Sequence, residues 1–193
     1  MKTFRPLLAV AALALAALPA AAAPNTYSID TAHSSAGFAV THLSISTVRG
    51  ELGPVTGTVT FDPADATKTV IDASIDVNGV STQNEKRDTH LKSPDFFDVA
   101  KFPKATFKST SVTKSGDELK IEGDLTLHGV TKKVTLTGKA SAEVAHPMMK
   151  GTFVIAFSAT TKINRKEFGV AYGPDAVVSD NVDVTISVEG DRK

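Results

Sequence analysis

Five histidines (His33, His42, His90, His128 and His146) and the absence of any cysteine bound the chemistry this chain can do. A cysteine nucleophile and a thiolate metal site are excluded. No two histidines recur at a spacing that puts both on one face of one element. A metal centre would need ligands from distant strands, and none is expected. His33-Ser34 pairs a base with a hydroxyl. Adjacent strand residues point to opposite faces, however, so the two cannot work together unaided. There is no Gly-x-Ser-x-Gly elbow, no His-Glu-x-x-His and no glycine-rich phosphate loop. His128 precedes Gly129 and reads as a turn residue; His146 stands beside Pro147 in a loop. No catalytic residue and no cofactor is assigned.

The run Ile163-Asn164-Arg165-Lys166-Glu167-Phe168-Gly169 is the polar segment that stands out. An arginine at a rim can pair with the phosphate or carbonyl of a head group. It can equally tie the rim together through carboxylates such as Asp95 or Asp98. Both roles stay open on sequence.

The elements that would position these groups are strands. Period-two alternation, the mark of a strand with one apolar face, recurs eight times. Phe38 and Val40 oppose Ala39 and Thr41. Val55, Gly57, Val59 and Phe61 oppose three threonines. Ile71, Ala73, Ile75 and Val77 follow, then Ala105 and Phe107, then Leu119, Ile121, Gly123, Leu125 and Leu127. Val134, Leu136, Gly138, Ala140 and Ala142 form the sixth set, Phe153, Ile155, Phe157 and Ala159 the seventh, and Val182, Val184, Ile186 and Val188 the eighth. Each strand keeps a polar face, so the sheet is antiparallel and not covered by helices on both sides. Turns are marked by Asp62-Pro63, Ser115-Gly116 and His128-Gly129. Closure into a barrel removes exposed edges. The expected fold is therefore all-β, an eight-stranded antiparallel barrel, with a two-sheet sandwich as the alternative.

Residues 78–103 break the alternation. Ser81 or Thr82 can cap a short surface helix running through Leu91. Phe96, Phe97 and Phe102 then come close together. A connection this long in a compact domain usually covers something; the three rings suit a plug, a cavity wall or both.

A barrel of eight strands is either filled or holds one small ligand. The inward face mixes large rings (Phe38, Phe61, Phe107, Phe153, Phe157) with small residues (Gly57, Ala73, Gly123, Gly138, Ala140, Ala142, Ala159). Small inward residues argue for space along the axis, although the glycines also suit bends. An interior nearly free of ionisable groups selects a chain-like apolar guest. Each buried CH₂ contributes roughly 0.8 kcal/mol, so one isoprene unit contributes about 3–4 kcal/mol gross. Association costs about 4–15 kcal/mol. Several units are needed for tight binding.

The N-terminus bears on the compartment. Lys2 and Arg5 precede an apolar run over residues 7–18, Pro19 ends it, and alanines 20–23 offer a cleavage site. Residues 1–22 read as a signal peptide, and residues 24–193 as one secreted domain. A membrane span would need roughly 20 apolar residues. Loss of Lys2 and Arg5 leaves 19 basic against 21 acidic residues. No basic block is present, so nucleic acid is not an expected partner.

The chain resembles the YceI-like family of periplasmic polyisoprenoid-binding proteins. The resemblance rests on Tyr27-Ser28-Ile29-Asp30, His33-Ser34, Thr41-His42-Leu43, the stretch from Asp88-Thr89-His90-Leu91 through Asp95-Phe96-Phe97-Asp98, Gly123-Asp124-Leu125-Thr126-Leu127-His128-Gly129, and Ile163-Asn164-Arg165. It implies a lipocalin-like barrel with a short helix near one opening and an elongated apolar pocket for a prenyl quinone or polyprenyl lipid. Homodimers and transient membrane contact are implied as well. The expected lining is Phe38, Val40, Val59, Ile75, Leu91, Phe97, Phe107, Leu125, Leu136, Phe153 and Phe157, with His33, His42, Asn164 and Arg165 as polar contacts near a head group. Two alternatives remain: an envelope enzyme acting on the lipid through His33, His42 or His90, and a filled structural barrel without a ligand.

Overall fold

A computed structural model describes residues 23–193, and the signal-peptide reading of residues 1–22 lies outside the described residues. The strands are β1 (Asn25–Ile29), β2 (Ser35–His42), β3 (Ser46–Glu51), β4 (Val55–Phe61), β5 (Val70–Asp76), β6 (Lys104–Ser115), β7 (Glu118–Leu127), β8 (Val130–Ala140), β9 (Val144–Ala145), β10 (Phe153–Asn164) and β11 (Asn181–Arg192). One helix, α1 (Glu85–Lys92), lies between β5 and β6. All pairings are antiparallel, in the order β3-β2-β11-β1-β4-β5-β6-β7-β8-β10-β9, and β10 also pairs with β11.

That last pairing closes the sheet. β1 and β2 both run along β11, at Gly190–Asp191 and at Asp183–Ser187 respectively, so together they form one barrel strand broken at residues 30–34. β3 and β4 form a second, broken at residues 52–54. Counting each broken pair once, and the two-residue β9 with β8 because both run along β10, gives the eight-stranded antiparallel barrel that the alternation predicts.

The breaks have local causes. The Asp30 carboxylate accepts from the Ala32 amide at 2.8 Å and turns the chain out of the ladder. Ser34 Oγ accepts from the Glu189 amide at 3.1 Å, replacing a ladder bond. In the second break Pro54 has no N–H to give a ladder, and Gly53 has φ +135°. The polar β3 and the short β1 carry too little alternation to be read from sequence. The β7–β8 turn is legible: His128 and Gly129 both have positive φ, 50° and 74°, as a two-residue hairpin requires.

The helix starts later than expected. Asn84 is the N-cap, accepting from the Arg87 amide at 3.0 Å. Thr82 instead holds the Asp88 carboxylate, through its amide at 2.8 Å and its hydroxyl at 2.5 Å.

Two apolar clusters fill the barrel's ends. Tyr27, Phe61, Ile155 and Val188 belong to the first. There Phe61 and Phe157 meet edge-to-face at 5.5 Å. The Glu143 carboxylate accepts from the Tyr27 hydroxyl and, at 2.7 and 2.8 Å, from Arg192. Arg192 stacks 4.4 Å over Phe153. Val77, Leu127, Ile163, Phe168 and Val182 close the opposite end, with Phe97 packed on them.

The small inward residues do not all make space. A Cβ at Gly123 would come within 2.4 Å of the Phe107 ring, so that ring occupies the room the glycine leaves. At Gly57 and Gly138 a Cβ would meet the Asp72 and Ser158 carbonyls at 2.1 Å, so both permit close strand approach. Ala142 lies past the end of β8 and is exposed, not inward.

Candidate ligand cavity

Between the end clusters lies an apolar cavity of about 140 Å³. Its walls come from around the barrel: Ile29, Val55 and Val59, Ile71, Ala73 and Ile75, Phe107, Leu125, Leu136, Phe157 and Ala159, and Val184, Ile186 and Val188. No carboxylate and no histidine lines it among the described residues. Such a wall can exclude water and hold hydrocarbon. Its one ionisable lining residue among those described is Lys139, which is exposed on β8.

Of the fifteen residues the sequence points to, Val59, Ile75, Phe107, Leu125, Leu136 and Phe157 line this cavity. Phe38, Val40, His42 and Leu91 line a second pocket of about 240 Å³, together with Val48, Phe96 and Tyr172. It sits where β3 has no further barrel strand beside it and α1 covers the gap. Phe97 belongs to the plug between the two spaces. Of its two neighbouring rings, Phe96 packs on His90 and Tyr172 at 5.0 and 5.2 Å, and Phe102 packs on His128 at 4.6 Å. Phe153 caps the far end beneath Arg192.

The four polar candidates do not converge. His33 is on the outer surface, its Nδ1 2.6 Å from Asp30 and 3.9 Å from Glu189. His42 lies in the second pocket. Asn164 caps a 3-10 turn, Arg165–Phe168, by accepting from the Lys166 amide at 3.0 Å. Arg165 is buried, with 5% of its side chain exposed. Its guanidinium donates to the carbonyls of Ser179, Val170, Tyr172, Gly173 and Val178 at 2.8–3.3 Å, and lies 3.4 Å from Asp180. All five N–H groups are committed, so Arg165 is unavailable to a head group. It ties down residues 170–180, through carbonyls and Asp180 rather than through Asp95 or Asp98. Asp95 instead accepts from His90 at 2.8 Å and Asp98 pairs with Lys101 at 2.9 Å.

Asp30, His33 and Glu189 bring one ring nitrogen and two carboxylates within 4.8 Å of one another. The hydrogen bond to Asp30 raises the His33 pKa, and the same bond lowers that of Asp30. Metal binding needs the neutral ring; this geometry favours the charged one and makes an ion pair. At the closed end Arg192 holds the Glu143 carboxyl below its ordinary range, and burial raises the Tyr27 hydroxyl.

Sequence reasoning missed Ile29, Leu52 and Tyr172. Ile29 and Leu52 lie at the ends of short segments where alternation is too brief to see. Tyr172 lies in a loop, and only its neighbours' packing reveals it.

A family model for the YceI-like domain matches residues 27–190. Protein YceI of Salmonella newport (strain SL254) is 43% identical over 160 residues, covering 82% of this chain and 81% of that protein. The crystal structure of Burkholderia cenocepacia BcnA superposes with a TM-score of 0.75 at 23% identity, covering 83% of this chain and 98% of that one. A polyisoprenoid binding domain from Saccharophagus degradans gives a TM-score of 0.63 at 17% identity, covering 86% and 98%. With the barrel in hand and the match running from β1 to β11, the chain belongs to the YceI-like domain family.

Proposed function

We propose that this protein is a periplasmic carrier that sequesters the chain of an isoprenoid lipid, of the prenyl quinone or polyprenyl type, inside its barrel. The observation that carries the reading is the cavity wall, predominantly aliphatic and aromatic and free of carboxylates and histidines among the described residues. The fold it shares with the polyisoprenoid binding domain from Saccharophagus degradans supports the ligand class. The domain is residues 24–193, released from a signal peptide at residues 1–22. The chain contacts are Val59, Ile75, Phe107, Leu125, Leu136 and Phe157, with Phe38, Val40 and Leu91 extending the path through the second pocket. Delivery involves transient membrane contact, for which Leu43 and Ile45 on the β2–β3 hairpin, 50% and 84% exposed, are suited.

The cavity sets a condition on this function. A space of about 140 Å³ is comparable to an engineered cavity that accepts benzene. A chain of several isoprene units needs the barrel walls to part further.

The test is native mass spectrometry of protein purified from periplasm, followed by titration with a prenyl quinone. A co-purifying isoprenoid, or saturable binding of the added quinone, is expected. Absence of both overturns the carrier reading.

A further inference from the structure

We infer that the slit between β8 and β10 is the port by which a lipid chain enters the barrel, and the seat of a neutral, oxygen-bearing head group. The inference rests on the carrier reading above. β8 and β10 are joined by four residue pairs only, from Phe157↔Ala140 to Thr160↔Thr137. Their other neighbours are held far more fully: β8 pairs with β7 over nine positions and β10 with β11 over twelve. Continuing the register would set Lys162 opposite Thr135 and Asn164 opposite Lys133. Instead the strands part, and a groove of about 740 Å³ lies between them.

The groove adjoins the interior. Val134, Thr161, Ile163 and Val184 line both the groove and the apolar cavity, so the floor of one is the wall of the other. The two ends of the barrel offer less. One is capped by the buried Tyr27 with its Glu143–Arg192 pair, the other by Phe97 and Phe168. A stretch where β8 and β10 have no ladder bonds is therefore also a partition of single side chains between cavity and solvent. Lys132 on β8 reaches Glu167, in the turn after β10, at 3.5 Å, spanning the slit like a latch.

The groove's charges select the head group. Lys132, Lys133 and Lys162 pair with Glu167, Asp124 and Asp183 at 3.5, 3.4 and 3.1 Å. Each lysine thus has a carboxylate partner, two of them in the groove and Asp124 beside it on β7, so no cation is left unpaired for a phosphate. What it offers is the hydroxyls of Thr135, Thr137 and Thr160 and two strand edges without ladder partners. These match a hydroxyl or a carbonyl, as on a prenol or a quinone.

The absence of native cysteine makes the test clean. In the full-length protein carrying Thr135→Cys and Lys162→Cys, the two thiols are joined by a bismaleimide with a reducible spacer. Uptake of a prenyl quinone from phosphatidylcholine vesicles should slow at least tenfold, and reduction of the spacer should restore it. Uptake at the unlinked rate overturns the port. A single Thr135→Cys variant reads the seat without a cross-link. Its alkylation by iodoacetamide should slow several-fold on loading with quinone, while Thr56→Cys on β4 is unaffected; equal rates at Thr135→Cys before and after loading overturn the seat. Prenyl phosphate of the same chain length should bind no tighter than the prenol, and tighter binding overturns the neutral head group. If the unlinked protein takes up none of these lipids, the carrier reading fails with it, an outcome distinct from unhindered uptake through a locked slit.

Discussion

At the scale of single residues, Arg165 has the largest structural share. It is an arginine because five N–H groups in a rigid fork meet carbonyls arriving from residues 170–180. A lysine has three donors on a flexible stem and cannot reproduce that. Arg165→Ala strands several buried carbonyls and Asp180. It should cost about 3–5 kcal/mol, lowering Tm by about 6–20 °C at about 2–4 °C per kcal/mol for a chain of this size. Arg165→Lys should recover only part of that loss in a thermal melt. His33 makes a smaller, sharper case. Its hydrogen bond to Asp30 raises its pKa above the ordinary 6.5. The pair's contribution is therefore complete below pH 6.5 and lost as pH rises through the raised value. On the Asp30 side the carboxyl is depressed below 3.8, and its contribution fades as pH falls through the depressed value. NMR titration should show His33 above 6.5 in the native protein and lower in Asp30→Asn, where only Glu189 still raises it; an unmoved His33 would refute the pairing. Neither role was fully legible beforehand. The motif positions of His33 and Arg165 stand out in the sequence, but Arg165's partners are mostly main-chain carbonyls, which no residue type announces.

Among the elements, legibility followed the length of the apolar face. The eight alternating runs all lie on barrel strands because each presents alternate residues to one core. β1 and β3 escaped, being halves of kinked strands: β1 is five residues, and β3 (Ser46–Glu51) is largely polar. Alternation gives the face of a residue and not the space in front of it. Gly123 shows the difference, since its neighbour across the β6–β7 ladder, Phe107, lays its ring into the gap. Overpacking of a core typically costs about 1–3 kcal/mol, so Gly123→Ala should destabilise by that amount. Combined with Phe107→Leu, the alanine should cost much less than alone. A double-mutant cycle should give a coupling of about 0.5–3 kcal/mol, measured by urea denaturation. Strict additivity would mean that the ring does not fill that space.

For the molecule as a whole, the open question in the sequence was filled barrel against hollow barrel, and the answer is intermediate. The ends are packed and the middle keeps about 140 Å³. Two small residues, Ala73 and Ala159, leave part of that room. Replacing either by leucine adds hydrocarbon to a wall that is already apolar, and filling a cavity commonly adds about 0.5–2 kcal/mol. Ala73→Leu should therefore leave the Tm of lipid-free protein unchanged or a few degrees higher. The same side chain takes space that the lipid chain must occupy, and each excluded CH₂ forfeits roughly 0.8 kcal/mol of transfer free energy. Two or three excluded groups amount to about 2 kcal/mol, more than a tenfold weakening, since about 1.4 kcal/mol is tenfold. Prenyl quinone binding should weaken by at least that factor in Ala73→Leu and further in the double variant with Ala159→Leu. Thermal stabilisation by saturating quinone, which follows the ratio of free ligand to Kd, should shrink in the same order. A variant that melts higher yet binds quinone as tightly as the native protein would put the lipid chain outside the barrel axis. The second pocket beneath α1, with Phe38, Val40 and Leu91, would then be the place to mutate next.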